Sequence, residues 1–76
     1  MSPKLPRITV RELLRALRRD GWEDARQRGS HVQFAHPSKT GLVTVPLHTG
    51  KTIPPKILAS ILEPAELSAD DLVRLL

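Results

Sequence analysis

The sequence contains no cysteine, and Trp22 and Phe34 are its only aromatic residues. Without cysteine the chain has neither disulfides nor thiolate metal ligands, which suits the reducing cytoplasm where we expect it to act. Both aromatic residues are predicted to lie in the core, so stacking of bases on exposed rings is not expected. No apolar run approaches the roughly 20 residues of a membrane-spanning helix, and none follows the N-terminus as in a signal peptide. We therefore predict no membrane association.

Acidic residues are missing from a long central part of the sequence, Ala25 to Lys56. Residues 1–56 contain eleven of the twelve Lys and Arg residues but four of the eight acids, a net charge of +7, whereas residues 57–76 have a net charge of −3. A basic surface of this kind attracts polyanions, above all RNA or DNA, although a solvated face kept for solubility has the same composition. The length of 76 residues predicts one small domain over residues 1–76, with residues 1–7 loose.

The first helix is predicted over about residues 9–20. Thr9 and Glu12 form the T-x-x-E pattern of a capping box. Gly21 supplies a left-handed stop, after which Trp22 can fold back on the helix. The apolar residues between these signals fall on one helix face: Val10, Leu13, Leu14 and Leu17.

Three short antiparallel strands are predicted in the middle of the sequence. The tetrapeptide Arg28-Gly29-Ser30-His31 is typical of a type II′ hairpin, because Gly occupies its first central position. The resulting register pairs Ala25 with Phe34, and a Pro-containing turn over residues 37–40 leads to pairing of Phe34 with Val43. One face of the sheet then points to the helices with Ala25, Val32, Phe34, Val43 and Val45. The opposite face is polar and carries Arg26, Arg28, His31, Gln33 and Thr44.

Two further helices are predicted after the strands. Pro54 and Pro55 suit the first turn of an apolar helix, and Pro64 is expected to end it. Ser68 can cap a short extra C-terminal helix over residues 68–76. The order is α-β-β-β-α plus this extra helix, with the helices on one face of a three-stranded antiparallel sheet. That order defines an α+β fold of the double-stranded-RNA-binding-domain type.

Several motifs between Thr9 and Leu62 point to a family. They are Gly21-Trp22, Arg26 to Phe34, His36-Pro37, Gly41 to Pro46, His48, Gly50-Lys51 and Ile53-Pro54, and the Gly-Ser-His and Val-Thr-Val-Pro runs are the most specific. Together they strongly resemble the HicA toxin family. The resemblance implies an RNA-cleaving toxin of a toxin–antitoxin pair, held inactive by a HicB-like antitoxin, with mRNA as substrate and His31 as catalytic residue. Glu63-Pro64-Ala65-Glu66 departs from the Gly-containing helix end common in the family.

His31 is also chemically suited to this role. Imidazole exchanges protons near neutral pH, and RNA cleavage needs a base for the 2′-hydroxyl or an acid for the leaving 5′-oxygen. A guanidinium of Arg26 or Arg28 can stabilise charge that builds at phosphorus. The residues expected to bind RNA are Arg26, Arg28, Gly29, Ser30, Gln33, Lys39, Lys51 and Lys56. Any single one of the basic residues could equally be an ordinary surface charge, but collectively they favour RNA contact.

Other functions are less well supported by the sequence, and no metal or other cofactor is expected. His31 and His36 stand five residues apart along one strand and so face opposite sides, with no carboxylate between them. Gly50-Lys51-Thr52 imitates the end of a phosphate-binding loop, but Val45 stands where its first Gly is required. Ser30 has no acid near it and is a turn residue. A protein-binding adaptor would leave the basic stretch unexplained, whereas a non-catalytic RNA-binding module of the same fold stays open.

Overall fold

A computed structural model of the chain describes residues 5–47 and 51–76. Its elements in chain order are α1 (Val10–Arg19), β1 (Glu23–Arg28), β2 (His31–Ala35), β3 (Val43–Pro46), α2 (Pro55–Ala65) and α3 (Ala69–Leu75). The strands form one antiparallel sheet in the order β1-β2-β3. This confirms the predicted α+β architecture with its extra C-terminal helix. Within the described ranges no helix has the length and apolar character needed to cross a membrane. His48, Gly50 and most of the segment predicted to be loose lie outside them.

The first helix begins and ends as predicted. The Thr9 hydroxyl accepts a hydrogen bond from the Glu12 N–H at 3.2 Å, and the Glu12 carboxylate accepts one from the Thr9 N–H at 2.9 Å. The backbone N–H and then the hydroxyl of Thr9 hold the pKa of the Glu12 carboxyl below its ordinary value. After the helix, Gly21, with a φ of 102°, and Trp22 both donate to carbonyls of the last turn. This is the Schellman motif, and it turns Trp22 into the core.

The helices pack on one face of the sheet. The strands contribute four buried side chains to this core, Val32, Phe34, Val43 and Val45. Val43 is the Cα partner of Phe34 and Val45 that of Val32, as the apolar alternation predicted. No polar or charged residue in the described part of the chain is buried. The polar side chains of β2 and β3, His31, Gln33 and Thr44, lie on the opposite face, which is open to solvent.

Strand β1 departs from the predicted register at Ala25. Near the hairpin the pairing is as predicted, but Asp24 instead of Ala25 lies opposite Phe34. Ala25 is the extra residue of a β-bulge and is exposed, so the prediction that it faces the helices is wrong. Because cross-strand partners share a face, Asp24 lies on the helix side, where its carboxylate pairs with Arg18 of α1 at 3.3 Å.

Helix α2 continues past Pro64, where the sequence predicted that it would end. Pro64 stands in the last turn, so its missing N–H costs one intrahelical bond. The helix ends instead at Ala65, and Glu66 caps it in the left-handed conformation (φ 57°, ψ 40°) that Gly usually takes at a helix end. The next helix begins at a capping box of Ser68 and Asp71, which confirms Ser68 as its cap.

Candidate functional site

The open face of the sheet carries a cleft of about 280 Å³ beside the β1–β2 hairpin. Its lining side chains come from all three strands: Arg26, Arg28, His31, Gln33 and Thr44. We call it the His31 cleft. The strand register assembles it, since Arg28 lies opposite His31 and Gln33 lies between Arg26 and Thr44. Cross-strand partners and residues two apart on a strand point to the same face. These five residues are the ones that the sequence predicted on the polar face of the sheet.

A tight hairpin holds His31 beside Arg28. Gly29 has a φ of 55°, and Ser30 is not among the residues with positive φ, which is the pattern of the predicted type II′ turn. The Ser30 carbonyl accepts a hydrogen bond from the Leu47 N–H at 2.6 Å, which ties the hairpin to the chain after β3. Neither Gly29 nor Ser30 lines the cleft. Their contribution to the site is therefore the turn that positions its flanking side chains.

The side chains of the His31 cleft are free to bind a ligand. Across residues 5–47 and 51–76, no hydrogen bond or ion pair engages any of these five side chains. Arg26, Arg28 and His31 are exposed, and no carboxylate is among the lining residues. Two guanidiniums without an ion-pair partner among the described residues, beside an imidazole, provide charged donors for a phosphate and a group that transfers protons.

Lys39 is separate from this site. Its Nζ forms an ion pair with Asp20 Oδ2 at 2.7 Å and donates to the Ala65 carbonyl, at the end of α2, at 2.8 Å. The ammonium also lies 5.8 Å from the centre of the Trp22 ring. Its side chain is only 20% exposed. Lys39 thus connects the end of α1, the β2–β3 connection and the end of α2, and its charge is used within the fold.

Lys51 and Lys56 are exposed near the start of α2. Lys51 lines a small groove together with Val45 and Pro46 of the edge strand β3. Pro46 is in turn the Cα partner of His31. Lys51 therefore lies beyond the β3 edge of the sheet, next to the cleft but not in it. Lys56 belongs to the first turn of α2 and lines neither cavity.

His36 has a structural role. Its Nε2 lies 2.6 Å from the Asp20 carbonyl oxygen, and its Nδ1 accepts a hydrogen bond from the Ser38 N–H at 3.1 Å. The contact with Asp20 connects the end of β2 to the end of α1, and the bond from Ser38 fixes the imidazole ring. In the part of the chain that the structure describes, no group of three or more His, Asp or Glu side chains is arranged to hold a metal ion.

Thr44 is the cleft residue that was not among the predicted site residues. The sequence signal for it is the polar residue between two buried valines in Val43-Thr44-Val45. Its hydroxyl both donates and accepts hydrogen bonds. It therefore adds a neutral hydrogen-bonding group on the side of the cleft opposite Arg26.

The fold and the site together define an α+β domain of the double-stranded-RNA-binding type, with a basic, histidine-containing cleft on its open sheet face. A family model described as the HicA toxin of bacterial toxin-antitoxin matches residues 10–67. The match covers more than half of the chain, which therefore belongs to the HicA toxin family, as the sequence motifs predicted. A search of curated proteins finds no match. Family membership implies a toxin of a toxin–antitoxin pair, with an antitoxin as its partner.

Proposed function

We propose that the protein is a metal-independent endoribonuclease that cleaves mRNA in the cytoplasm, with His31 as its catalytic residue. The observation that supports this most strongly is the grouping of His31 with Arg26 and Arg28 in one open cleft, without a neutralising carboxylate. Membership of a toxin family fits such an activity, because cleavage of mRNA stops growth. Imidazole is the side chain best suited to proton transfer near neutral pH.

The proposed reaction is an internal transesterification. A base removes the proton of a ribose 2′-hydroxyl, and the resulting oxygen attacks the adjacent phosphorus. The bond from phosphorus to the 5′-oxygen breaks, and that oxygen takes up a proton, so that a 2′,3′-cyclic phosphate and a 5′-hydroxyl remain. His31 carries out one of the two proton transfers. Arg28, its cross-strand partner, donates to the phosphate oxygens and stabilises their charge in the transition state.

The other cleft residues bind the RNA around the scissile phosphate. Arg26 holds a neighbouring phosphate, and Gln33 and Thr44 supply hydrogen bonds to ribose or base. Lys51 lies next to the cleft across the β3 edge, where it serves a phosphate further along the strand. Lys56 stays a weaker candidate for a phosphate contact. We leave Lys39 out of this set because Asp20 already pairs with its ammonium.

The activity is expected to persist without divalent ions. Purified protein incubated with mRNA in excess EDTA should produce the same fragments at the same rate as without chelator. Denaturing gel electrophoresis measures the fragments, and the cyclic phosphate ends can be identified by mass spectrometry. A parallel preparation of His31→Gln controls for a contaminating ribonuclease, since Gln keeps a hydrogen-bonding side chain but cannot transfer protons.

Two outcomes would contradict the proposal in different ways. Cleavage that stops in EDTA and returns with a divalent ion would rule out the metal-independent mechanism. Binding of RNA without any cleavage would support the alternative, a non-catalytic RNA-binding module. The same fold and basic cleft serve either function, so the product analysis is what distinguishes them.

We further propose that a HicB-like antitoxin silences the toxin by covering the His31 cleft. The cleft is open to solvent, and its arginines are unpaired among the described residues. A partner that places acidic side chains there neutralises them and excludes RNA.

Chemical modification of the complex tests this occlusion. We expect phenylglyoxal to label Arg26 and Arg28 much more slowly in a complex with the antitoxin, obtained by co-expression with the neighbouring reading frame, than in the free toxin. Arg74, exposed on α3 and outside the cleft, serves as an internal reference. Peptide mass spectrometry follows each arginine separately. Equal labelling of both cleft arginines in free and bound toxin would refute direct occlusion.

A further inference from the structure

Helix α1 carries a second basic surface on its solvent side. Arg11, Arg15 and Arg18 recur at helical spacing, are exposed, and line a common shallow hollow. We call these three residues the α1 arginine row. The opposite side of α1 is buried in the core. Because the helices cover the inner face of the sheet, the row is separated from the His31 cleft by the sheet itself.

Two members of the row form no ion pair with any residue that the structure describes. Arg18 pairs with Asp24 of β1 at 3.3 Å, but no described residue forms a hydrogen bond or ion pair with Arg11 or Arg15. Glu12 borders the same hollow, yet its carboxylate already accepts bonds from the backbone and hydroxyl of Thr9. The Glu12 carboxylate keeps its charge and interacts electrostatically with Arg15, but it forms no ion pair with either arginine. The row therefore presents two guanidiniums whose N–H groups have no partner among the described residues, about 6 Å apart along the helix axis at 1.5 Å per residue.

The row and the His31 cleft are joined around one edge of the sheet. The Arg18–Asp24 pair connects α1 to β1, and β1 is an edge strand that carries Arg26 and Arg28. Every residue of β1 is exposed. The molecule is 18 Å across in its shortest dimension. About five nucleotides, at roughly 3.4 Å each, therefore cover this thickness alone, and further nucleotides are needed to lie in the cleft and along the row. A polyanionic chain is the ligand that can use both surfaces together, whereas a compact acidic protein would need to wrap this edge.

We propose that the α1 arginine row binds the phosphate backbone of the substrate RNA, away from the scissile bond. This rests on the proposed function, because the RNA is the one cut at His31. The row adds affinity that does not depend on base sequence. Long RNAs that pass around β1 are therefore bound more tightly than short ones that occupy only the cleft.

The test compares a 25-nucleotide with a 6-nucleotide RNA, both fluorescently labelled and 2′-O-methylated so that neither can be cut. Fluorescence anisotropy at several salt concentrations gives their affinities for the wild type and for Arg11→Gln/Arg15→Gln. Gln has a helix propensity close to that of Arg, so the fold is kept. For the 25-mer we expect an affinity on the order of tenfold lower. The slope of log affinity against log salt should be shallower by about 1.4, at about 0.7 per lost phosphate contact.

Controls separate the row from general charge effects and from catalysis. Arg15→Gln is matched with Arg74→Gln, which removes an exposed helical arginine elsewhere and should leave the affinity for the 25-mer unchanged. Two results would overturn the proposal: an unchanged slope of log affinity against log salt in the double variant, or a loss of affinity for the 6-mer equal to that for the 25-mer. An unchanged slope would instead favour an acidic segment of the antitoxin as the ligand of the row. The salt slope could differ between the wild type and the double variant although the wild type cuts no unmodified RNA. That result would uphold RNA binding by the row and refute the proposed cleavage.

Discussion

The His31→Ala variant should fold, bind RNA and fail to cleave it. Loss of a general acid or base slows a reaction by roughly 10²–10⁴-fold, whereas Arg26 and Arg28 remain to hold phosphates. The side chain of His31 is exposed and forms no hydrogen bond with a described residue, so its removal should change the free energy of unfolding by about 0.5 kcal/mol or less. Single-turnover cleavage of a defined RNA measures the rate, and anisotropy with an uncleavable analogue measures binding. Expressed without antitoxin, the variant should not arrest growth.

Two companion variants make this result specific to proton transfer. His31→Gln keeps a polar side chain of similar reach and should be as inactive as His31→Ala. Thr44→Ala alters another side chain of the same cleft. It should slow cleavage by no more than about fivefold, since only a hydrogen bond worth about 1 kcal/mol is lost. Cleavage by His31→Ala at a rate near that of the wild type would show that the catalytic assignment is wrong.

The register of the sheet could be predicted from the sequence wherever the alternation of apolar residues agreed with the residues that form the turns. Val32 and Phe34 alternate with polar residues, as do Val43 and Val45, and Gly29 fixes the hairpin between β1 and β2. A slip of one residue between the two strands would have turned the two apolar side chains of one strand to the solvent, so the register of β2 against β3 had one acceptable solution. The grouping of His31 with its neighbours in one cleft followed from this register.

The bulge in β1 could not be predicted, because the strand contains a single apolar residue. Ala25 buries too little surface to fix the register by itself, so the predicted pairing was extended from the turn without a further constraint. The observed register places Asp24 where it forms an ion pair with Arg18, six positions earlier in the chain. It depends on how α1 crosses the sheet, which a one-dimensional pattern does not specify.

Lys39 illustrates why basic residues were harder to assign than His31. Its partners are Asp20 and Ala65, 19 and 26 positions away in the sequence. Nothing in Pro37-Ser38-Lys39-Thr40 distinguishes an ammonium used within the fold from one available to RNA. Conversely, the arginines of α1 read as the ordinary polar face of an amphipathic helix. Only the three-dimensional contacts show which of these charges are already paired.

Replacement of Arg28 should weaken both RNA binding and cleavage, whereas replacement of His31 should abolish cleavage alone. In Arg28→Ala we expect cleavage to slow by roughly 10²–10³-fold, the usual effect of removing one donor to transition-state charge. RNA affinity should fall too, because a charged phosphate contact is lost. The slope of log affinity against log salt concentration should become shallower by about 0.7. The loss of affinity is then about threefold greater at 50 mM than at 200 mM salt. The same anisotropy and single-turnover assays measure these changes.

Arg28→Lys separates the charge of this residue from its geometry. Lysine keeps the positive charge but lacks the planar fork that binds two phosphate oxygens at once. We therefore expect Arg28→Lys to recover most of the lost affinity and the wild-type salt slope, but only part of the lost rate. Unchanged affinity in Arg28→Ala would remove this residue from the phosphate-binding set, even if cleavage were slower. Full recovery of the rate by lysine would mean that charge alone, without bidentate contact, stabilises the transition state beside His31.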